Sequence, residues 1–265
     1  MEAMEKIIED ATVELIRRAV TTLPQDVVAA LETARAAETE ATARRELGIM
    51  IENVREAGRC ALPMCQDTGI PVFFVKMGHR HVAGLEDALA RAVRRATELV
   101  PLRRNVVDPL TRANTGDNTG VRMPYVTYSF TDADYLEIAY MPKGAGSENM
   151  SALAMLCPPV VVGVGIGGSA DACMGLAKKA LMRPAGSKNP APAYARLEEE
   201  LLEQINATGI GPMGLGGRTT ALAVHVERAD CHTASLPVGI NLQCYAARRA
   251  SVRVYEDGRV EYGGE

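Results

Sequence analysis

The 265-residue sequence lacks the features that mark membrane-spanning, exported and nucleic-acid-binding proteins. No apolar run approaches the length needed to cross a bilayer. Residues 1–20 carry acids throughout, whereas a secretory signal requires an uninterrupted apolar centre. The 29 lysines and arginines are balanced by 33 acids, and neither sign forms a long block, so we expect no binding to nucleic acid or to membranes. These absences predict a cytoplasmic protein.

The six cysteines contain no C-x-x-C pair, which disfavours a zinc ribbon and a thioredoxin-type redox site. In a reducing cytosol, thiols serve as ligands, nucleophiles or core residues rather than as disulfides. Cys173 lies on the apolar face of a predicted helix and Cys60 ends another, so we expect both in the core. Cys65, Cys157 and Cys244 instead adjoin the ends of predicted elements. Three such thiolates are typical of an iron–sulfur cluster with one iron left open for substrate.

The remaining composition is that of an ordinary globular protein. With 47% hydrophobic and 23% charged residues, the chain can bury a sizeable core, as one large domain or as two small ones. Apolar residues recur at helical intervals from residue 2 to about residue 57, and strands and helices follow in mixed order. This order predicts an α+β (mixed α/β) fold in a single domain, 1–265. A helical N-terminal lobe, about 1–57, would pack on a mixed β-sheet with flanking helices.

Local patterns predict the elements that follow the helical lobe. PVFFVKMG is typical of a strand, YVTYSF and YLEIAYM of a pair of strands, and PPVVVGVGIGG of a buried strand. Helical patterns cover GLEDALARAVRRATELV, SALAMLC, SADACMGLAKKALM and YARLEEELLEQINATG. The last part of the chain is β-rich, with strands at TTALAVHVER and LPVGI. SVRVYEDGRVEYG predicts a hairpin around its Asp-Gly turn.

Residues 163–168, GVGIGG, match the G-x-G-x-x-G pattern of dinucleotide-binding turns and lie between a predicted strand and a predicted helix. An NAD-dependent oxidoreductase is therefore one alternative. That fold also requires a second parallel strand ending in an acid about 20 residues later, where this chain has RPAGSKNPAP. The glycines are better explained as small residues that let a strand and a helix pack closely.

Three polar motifs, CQDTG, NTGDNTG and KGAGSEN, gather side chains suited to binding an anion. In or near these motifs lie Gln66, Asp67, Thr68, Arg103, Arg112, Lys143 and Ser147. Guanidinium groups and backbone N–H groups exposed by glycine suit carboxylates and phosphates. We expect Arg104 to be an ordinary surface residue. His232, in the polar loop CHTASLP, is a candidate proton carrier at neutral pH.

Six motifs occur in the same order as in one enzyme family: CQDTG, NTGDNTG, KGAGSEN, CPPVVVGVGIGG, GIGPMGLGG and HTASLPVGINLQC. Together they resemble the class I fumarate hydratases and the related tartrate dehydratases, which are iron–sulfur hydro-lyases. The likeness runs from about residue 10 to the C-terminus. It corresponds to the α subunit, or to the N-terminal half of the one-chain enzymes, and stops where a β subunit would begin.

The resemblance implies a cofactor and a set of site residues. A [4Fe–4S] cluster would be held by three cysteines, Cys65, Cys157 and Cys244. A small dicarboxylate substrate would contact Gln66, Asp67, Arg103 and the Gly146 backbone, with Asp67 on the acid side of the reaction.

The resemblance also implies partners. His232 would reach the site of a neighbouring α chain, so α chains would associate with one another. A β subunit would carry the catalytic Thr and further substrate-binding residues, which gives a heterotetramer.

Reversible hydration of fumarate to L-malate, a step of the tricarboxylic acid cycle, is the main hypothesis, because KGAGSEN and HTASLPVG resemble the fumarase forms of those motifs. An L-tartrate dehydratase α subunit is the close alternative, since the two substrates differ by few groups. The alternatives from other classes are an NAD-dependent oxidoreductase and a non-catalytic, thiol-rich scaffold subunit.

Overall fold

The computed structural model describes residues 2–79, 82–108, 111–144, 158–231 and 236–263. The chain forms two compact units. The first contains Met1–Pro24, Glu56–Ala145 and Arg248–Glu265, and the second contains Gln25–Arg55 and Gly146–Ala247. Helices and mixed sheets confirm the expected α+β class. The single domain of 1–265 stays a prediction.

The N-terminal region that was predicted to be helical contains three helices, α1 (Glu2–Thr21), α2 (Gln25–Ala37) and α3 (Ala41–Cys60). Helix α1 belongs to the first unit, whereas α2 and most of α3 belong to the second. None of the described helices has the combination of length and apolarity that crossing a membrane requires.

The first unit contains a five-stranded mixed sheet. Its strands are β1 (Ile70–Met77), β2 (Tyr125–Phe130), β3 (Tyr135–Lys143), β7 (Ala250–Tyr255) and β8 (Val260–Gly263), in the spatial order β2-β1-β3-β7-β8. Helix α4 (Leu85–Leu99) buries apolar residues at helical spacing, and α1 packs against α4 and the sheet. The shared core includes fully buried Leu15, Phe73, Leu89, Ile138 and Val252.

The predicted direct pairing of YVTYSF with YLEIAYM is wrong, because β1 lies between β2 and β3. Phe73 of β1 faces Val126 of β2 in parallel register and Tyr140 of β3 in antiparallel register. Most β1 side chains are buried, which suits a central strand, whereas β2 is largely exposed and forms the edge. The predicted C-terminal hairpin is confirmed by the antiparallel pairing of β7 with β8.

The second unit contains a three-stranded sheet in the order β5-β4-β6. Strand β4 (Val160–Gly168) is parallel to β5 (Ala221–Cys231) and antiparallel to β6 (Val238–Gln243). Helices α5 (Ala170–Ala180) and α6 (Pro192–Ala207) pack against these strands. The predicted helix at SALAMLC lies outside the described residues.

The glycines of GVGIGG allow α5 to pack directly on β4, as the sequence predicted. A Cβ atom on Gly163 would lie 2.1 Å from the carbonyl oxygen of Ala177, and one on Gly165 would lie 1.9 Å from that of Cys173. No real side chain fits at those distances. Because helix backbone occupies this face of the strand, the pattern is explained by packing rather than by a dinucleotide.

Glu198 links α6 to the sheet of the second unit through hydrogen bonds. Its carboxylate accepts hydrogen bonds from Arg183 Nη1 at 2.6 Å, from the Val226 backbone N–H at 2.8 Å and from the Asn189 backbone N–H at 2.9 Å. Glu198 is 5% exposed. The hydrogen bonds from Arg183 and the two backbone N–H groups therefore balance its charge inside the fold.

Two cysteines were expected in the core, and one is found there. Cys173 is 4% exposed and its Sγ donates to the Ala170 carbonyl oxygen. The prediction for Cys60 is wrong: it is exposed at the end of α3, with Sγ 3.2 Å from a Glu56 carboxylate oxygen. The last residue of an amphipathic helix can lie on either face, so its position in the sequence did not determine burial.

Candidate active site

The motif CQDTG forms the loop between α3 and β1, in the first unit. Cys65 and Asp67 are half-buried, Gln66 is exposed and Thr68 is buried. The loop ends at Gly69, whose φ of +78° is one that side chains rarely adopt, and a Cβ there would lie 2.7 Å from the Pro142 carbonyl carbon. Glycine is therefore required for this loop to approach β3.

Thr68 joins CQDTG to the loop that follows α4. Its hydroxyl accepts a hydrogen bond from the Arg103 backbone N–H at 2.9 Å, and Thr68 is 3% exposed. The Arg103 side chain is exposed beside this contact. The structure thus brings the backbone of Arg103 to the residue that follows Asp67.

Asn105 holds the Asp67 carboxylate. Its Nδ2 lies 3.3 Å from Asp67 Oδ1 and 3.2 Å from the Gly69 carbonyl oxygen. The Gly69 backbone N–H also donates to Asp67 Oδ1, at 3.0 Å. Two hydrogen bonds to the same carboxylate oxygen fix the orientation of the Asp67 side chain. A group that transfers a proton at a defined position requires such a fixed orientation.

The motif NTGDNTG supports these contacts through Asn118, which is 3% exposed. Asn118 Oδ1 accepts the Asn105 backbone N–H at 2.7 Å, and its Nδ2 donates to the Arg103 carbonyl oxygen at 3.0 Å and to Thr97 Oγ1 at 3.1 Å. Both ends of the amide are therefore used. The motif fixes the loop that carries Arg103 rather than presenting a surface of its own.

Asp117 is fixed beside Asn118. Burial acts to raise the pKa of Asp117, but hydrogen bonds from the backbone N–H and hydroxyl of Thr119, together with the charge of Arg94, outweigh burial and lower that pKa below its ordinary value. The Asp117 carboxylate therefore stays negatively charged and has a structural role in the loop.

Gly144 and Arg248 complete the surroundings of Asp67. A Cβ on Gly144 would lie 3.1 Å from Asp67 Oδ2 and 3.7 Å from Arg248 Nη2. Arg248 Nη2 donates to the Asp67 carbonyl oxygen at 3.1 Å, and Arg248 is 2% exposed. Lys143, which precedes Gly144, is 1% exposed. Two cationic residues are therefore buried beside the CQDTG loop.

The other predicted site residues are placed as follows. Cys244 is half-buried after β6, in the second unit, and Arg112 is exposed in the first. Cys157, Gly146, Ser147 and His232 lie outside the described residues. The sequence predictions for these positions stay predictions.

The described residues include two of the three predicted cluster ligands. Neither Cys65 nor Cys244 is in a disulfide and both are partly accessible, which fits the chemistry of an iron–sulfur ligand. Within the described ranges, no three histidine, cysteine or acidic side chains are grouped to hold a metal ion. A complete ligand set therefore depends on Cys157.

Three residues at this site escaped the sequence interpretation: Asn105, Asn118 and Arg248. Asn105 follows the Arg103–Arg104 pair, and Asn118 lies inside NTGDNTG, a motif that was interpreted as binding an anion rather than as holding a neighbouring loop. A run of amides beside arginines is a signal that could have identified them. Arg248 has no such signal, since it lies far along the chain from CQDTG.

Comparison with known proteins agrees with these motifs. The family model described as fumarate hydratase (Fumerase) matches residues 9–156 and 155–253. A protein of Methanocaldococcus jannaschii, provisionally named L(+)-tartrate dehydratase subunit alpha, is 45% identical over 283 aligned positions, covering 96% of this chain and 99% of the relative. The L(+)-tartrate dehydratase subunit alpha of Escherichia coli strain UTI89 is 38% identical, covering 89% of this chain and 87% of the relative. The chain therefore belongs to the fumarate hydratase (Fumerase) family of hydro-lyases.

Proposed function

We propose that this chain is the α subunit of a [4Fe–4S]-dependent hydro-lyase that removes water from an L-tartrate-type hydroxydicarboxylate. The names of the similar proteins support tartrate. Hydration of fumarate to L-malate is the second candidate, supported by the description of the family model and by the motifs KGAGSEN and HTASLPVG.

The observation that carries the proposal is the hydrogen bond from the Arg103 backbone N–H to the Thr68 hydroxyl. It sets a guanidinium-bearing loop beside an oriented carboxylate, that of Asp67. A dicarboxylate substrate needs a cation to hold one carboxylate, and its dehydration needs a group that moves a proton at a fixed position. The Arg103 and Asp67 side chains are of the types required for these two tasks.

The cluster would be held by Cys65, Cys157 and Cys244. When bound, a [4Fe–4S] cluster with an open iron supplies a Lewis acid for the substrate hydroxyl and carboxylate. Around it, Gln66 and the Gly146 backbone would orient the substrate, Arg103 would bind the carboxylate farther from the reacting carbon, and Asp67 would hold the proton on the acid side of the reaction.

The proposal includes partners, because a reaction of this kind also needs a base at carbon. The similar proteins are named as alpha subunits, which supports a separate β subunit. In this proposal the β subunit carries the catalytic Thr and further substrate-binding residues. We also propose that α chains associate, so that His232 reaches the site of a neighbouring chain. The chain alone should then have little or no activity.

The test is anaerobic reconstitution of the chain with iron and sulfide, followed by visible spectroscopy and iron and sulfide analysis. We expect a brown chromophore with nearly four irons for each chain. A colourless protein without bound iron would contradict the proposal. Nicotinamide binding in its place would favour the oxidoreductase.

The substrate is then tested on the reconstituted chain together with its co-expressed partner. We expect a higher kcat/KM for L-tartrate than for fumarate or L-malate. The reverse order would support the second candidate, and robust turnover by the isolated α chain would show that the carbon base lies in this polypeptide.

A further inference from the structure

Arg248 is a buried cation that makes no direct hydrogen bond to a carboxylate among the described residues. It is 2% exposed, and only its Nη2 makes a hydrogen bond, to the Asp67 carbonyl oxygen at 3.1 Å. Its Nε and Nη1 have no hydrogen-bond partner among the described residues. A main-chain carbonyl group carries a dipole but no net charge, so its oxygen cannot neutralise the positive charge of a guanidinium. A buried arginine normally has a carboxylate or another anion beside it.

Arg183, a half-buried arginine of the second unit, follows that rule. Arg183 is paired with Glu198 at 2.6 Å, and its guanidinium also contacts the Val226 and Ser187 carbonyl oxygens. Arg248 is buried more deeply and has fewer partners among the described residues. The absence of hydrogen-bond partners for Arg248 Nε and Nη1 among the described residues therefore needs an explanation from the surroundings of Arg248.

That position is next to the candidate active site. The main-chain contact fixes the guanidinium against Asp67. Gly144, the second residue of the motif KGAGSEN, lies on the same side. A Cβ atom at residue 144 would lie 3.1 Å from Asp67 Oδ2 and 3.7 Å from Arg248 Nη2. Glycine therefore lets the Asp67 carboxylate and the guanidinium approach this part of the backbone closely.

We propose that Arg248 binds a substrate carboxylate through Nε and Nη1, as a second cationic contact in addition to that of Arg103. This inference rests on the proposed function for the identity of the ligand. A dicarboxylate has two anionic ends, and among the arginines of this chain the family resemblance implied a substrate contact for Arg103 alone. Shielding from water strengthens a charged hydrogen bond at this position, and ligand entry requires a local opening of the chain around it.

The test measures thermal unfolding of the full chain, without cluster, at constant ionic strength and increasing L-tartrate, fumarate or sulfate. The parent chain should be stabilised by a dicarboxylate. Arg248→Gln, which keeps an N–H donor for Asp67 but loses the charge, should bind the same dicarboxylate about tenfold or more weakly. Arg248→Lys should retain part of the response. Arg104→Gln, at an exposed arginine of the loop that carries Arg103, is the matched control and should respond as the parent does.

Three outcomes would overturn the inference. These are an unchanged dicarboxylate response in Arg248→Gln, no response in the parent chain, and an equal response to sulfate, which would indicate a general anion site. If Arg248→Gln does not fold, an unweakened response in Arg248→Lys has the same meaning. The measurement is independent of turnover. If the response depends on Arg248 but anaerobic reconstitution fails to give a cluster, the proposed function is contradicted and this inference is not.

Discussion

The side-chain nitrogen of Asn105 lies 3.3 Å from the carboxylate oxygen Oδ1 of Asp67. This contact joins the loop after α4 to the loop before β1, and both loops carry predicted substrate-binding residues. Asn105 is itself held by Asn118 through its backbone N–H. The orientation of Asp67 thus depends on a chain of amides rather than on the CQDTG loop alone.

Asn105→Asp should reduce turnover strongly. The substitution places a second carboxylate beside Asp67 and removes the N–H donor, so like charges repel and Asp67 loses its orientation. We expect kcat of the reconstituted enzyme to fall about a hundredfold, as misplaced catalytic groups typically cause.

Asn53→Asp is the matched control, because it makes the same chemical change at an exposed asparagine of helix α3, outside the two loops that meet at Asp67. Steady-state assays should show nearly normal kcat for this variant. Normal turnover in Asn105→Asp would mean that Asp67 needs no fixed orientation.

Serine in place of Cys65, Cys157 or Cys244 should abolish cluster assembly, because a serine hydroxyl is a poor iron ligand compared with a thiolate. Cys60→Ala and Cys173→Ala should keep the visible absorption and the bound iron, since Cys60 is exposed at a helix end and Cys173 is a buried residue of α5. Iron analysis after anaerobic reconstitution gives the result. Loss of iron in Cys231→Ser rather than in Cys244→Ser would make the proposed ligand set wrong.

Glu198→Gln should remove a pH-dependent part of the stability of the second unit. Burial acts to raise the pKa of Glu198, but the hydrogen bonds from Arg183 and from the Val226 and Asn189 backbones lower it below 4.5 overall. A lowered folded-state pKa means that the ionised carboxylate stabilises the fold above pH 4.5, and that this contribution is lost as the pH falls through the folded-state value.

At pH 7 we expect Glu198→Gln to lower the free energy of unfolding by about 3 kcal/mol. The control is Glu199→Gln, one residue further along α6, whose ion pair with Lys188 is exposed and should contribute much less to stability. Urea unfolding at several pH values distinguishes the two. Equal losses would show that the Glu198 ion pair stabilises the fold no more than a surface pair.

Gly165→Ala should destabilise the second unit by about 3 kcal/mol, because the added Cβ would lie 1.9 Å from the Cys173 carbonyl oxygen and push α5 away from β4. Gly175→Ala is the control: it lies within α5 with no atom within 4 Å of an added Cβ, so the better helix propensity of alanine should stabilise the protein by up to about 1 kcal/mol. Denaturant midpoints should therefore shift in opposite directions. A neutral Gly165→Ala would contradict close packing as the reason for GVGIGG.

Features that depend on neighbouring residues could be predicted from the sequence. The helical spacing of α4 and the Asp257-Gly258 turn between β7 and β8 identified those elements. The insertion of β1 between β2 and β3 could not be predicted, because strand order depends on which faces become buried in the assembled sheet. Adjacent strands along the chain favour direct pairing, but here the more apolar β1 takes the central position.

The candidate site, like the fold, could be predicted from the sequence only where it depends on residues that are neighbours in the chain. Gln66, Asp67 and Arg103 could be proposed from motifs whose residue types suit a dicarboxylate. Arg248 could not, because its relation to Asp67 is a contact across the fold of the first unit. Asn105 and Asn118 act by holding other residues, and a sequence pattern does not reveal which loop an amide holds.

Strands β3 and β7 are hydrogen-bonded neighbours, yet the stretch Gly146–Ala247 of the second unit separates them in the chain. On the ribosome, β7 emerges only after that stretch has been synthesised. Until then, the edge of β3 that β7 will cover has no strand beside it and is open to pairing with another nascent chain. Completing the first unit therefore waits for synthesis of the second, and the interval between them is when this polypeptide most needs a chaperone.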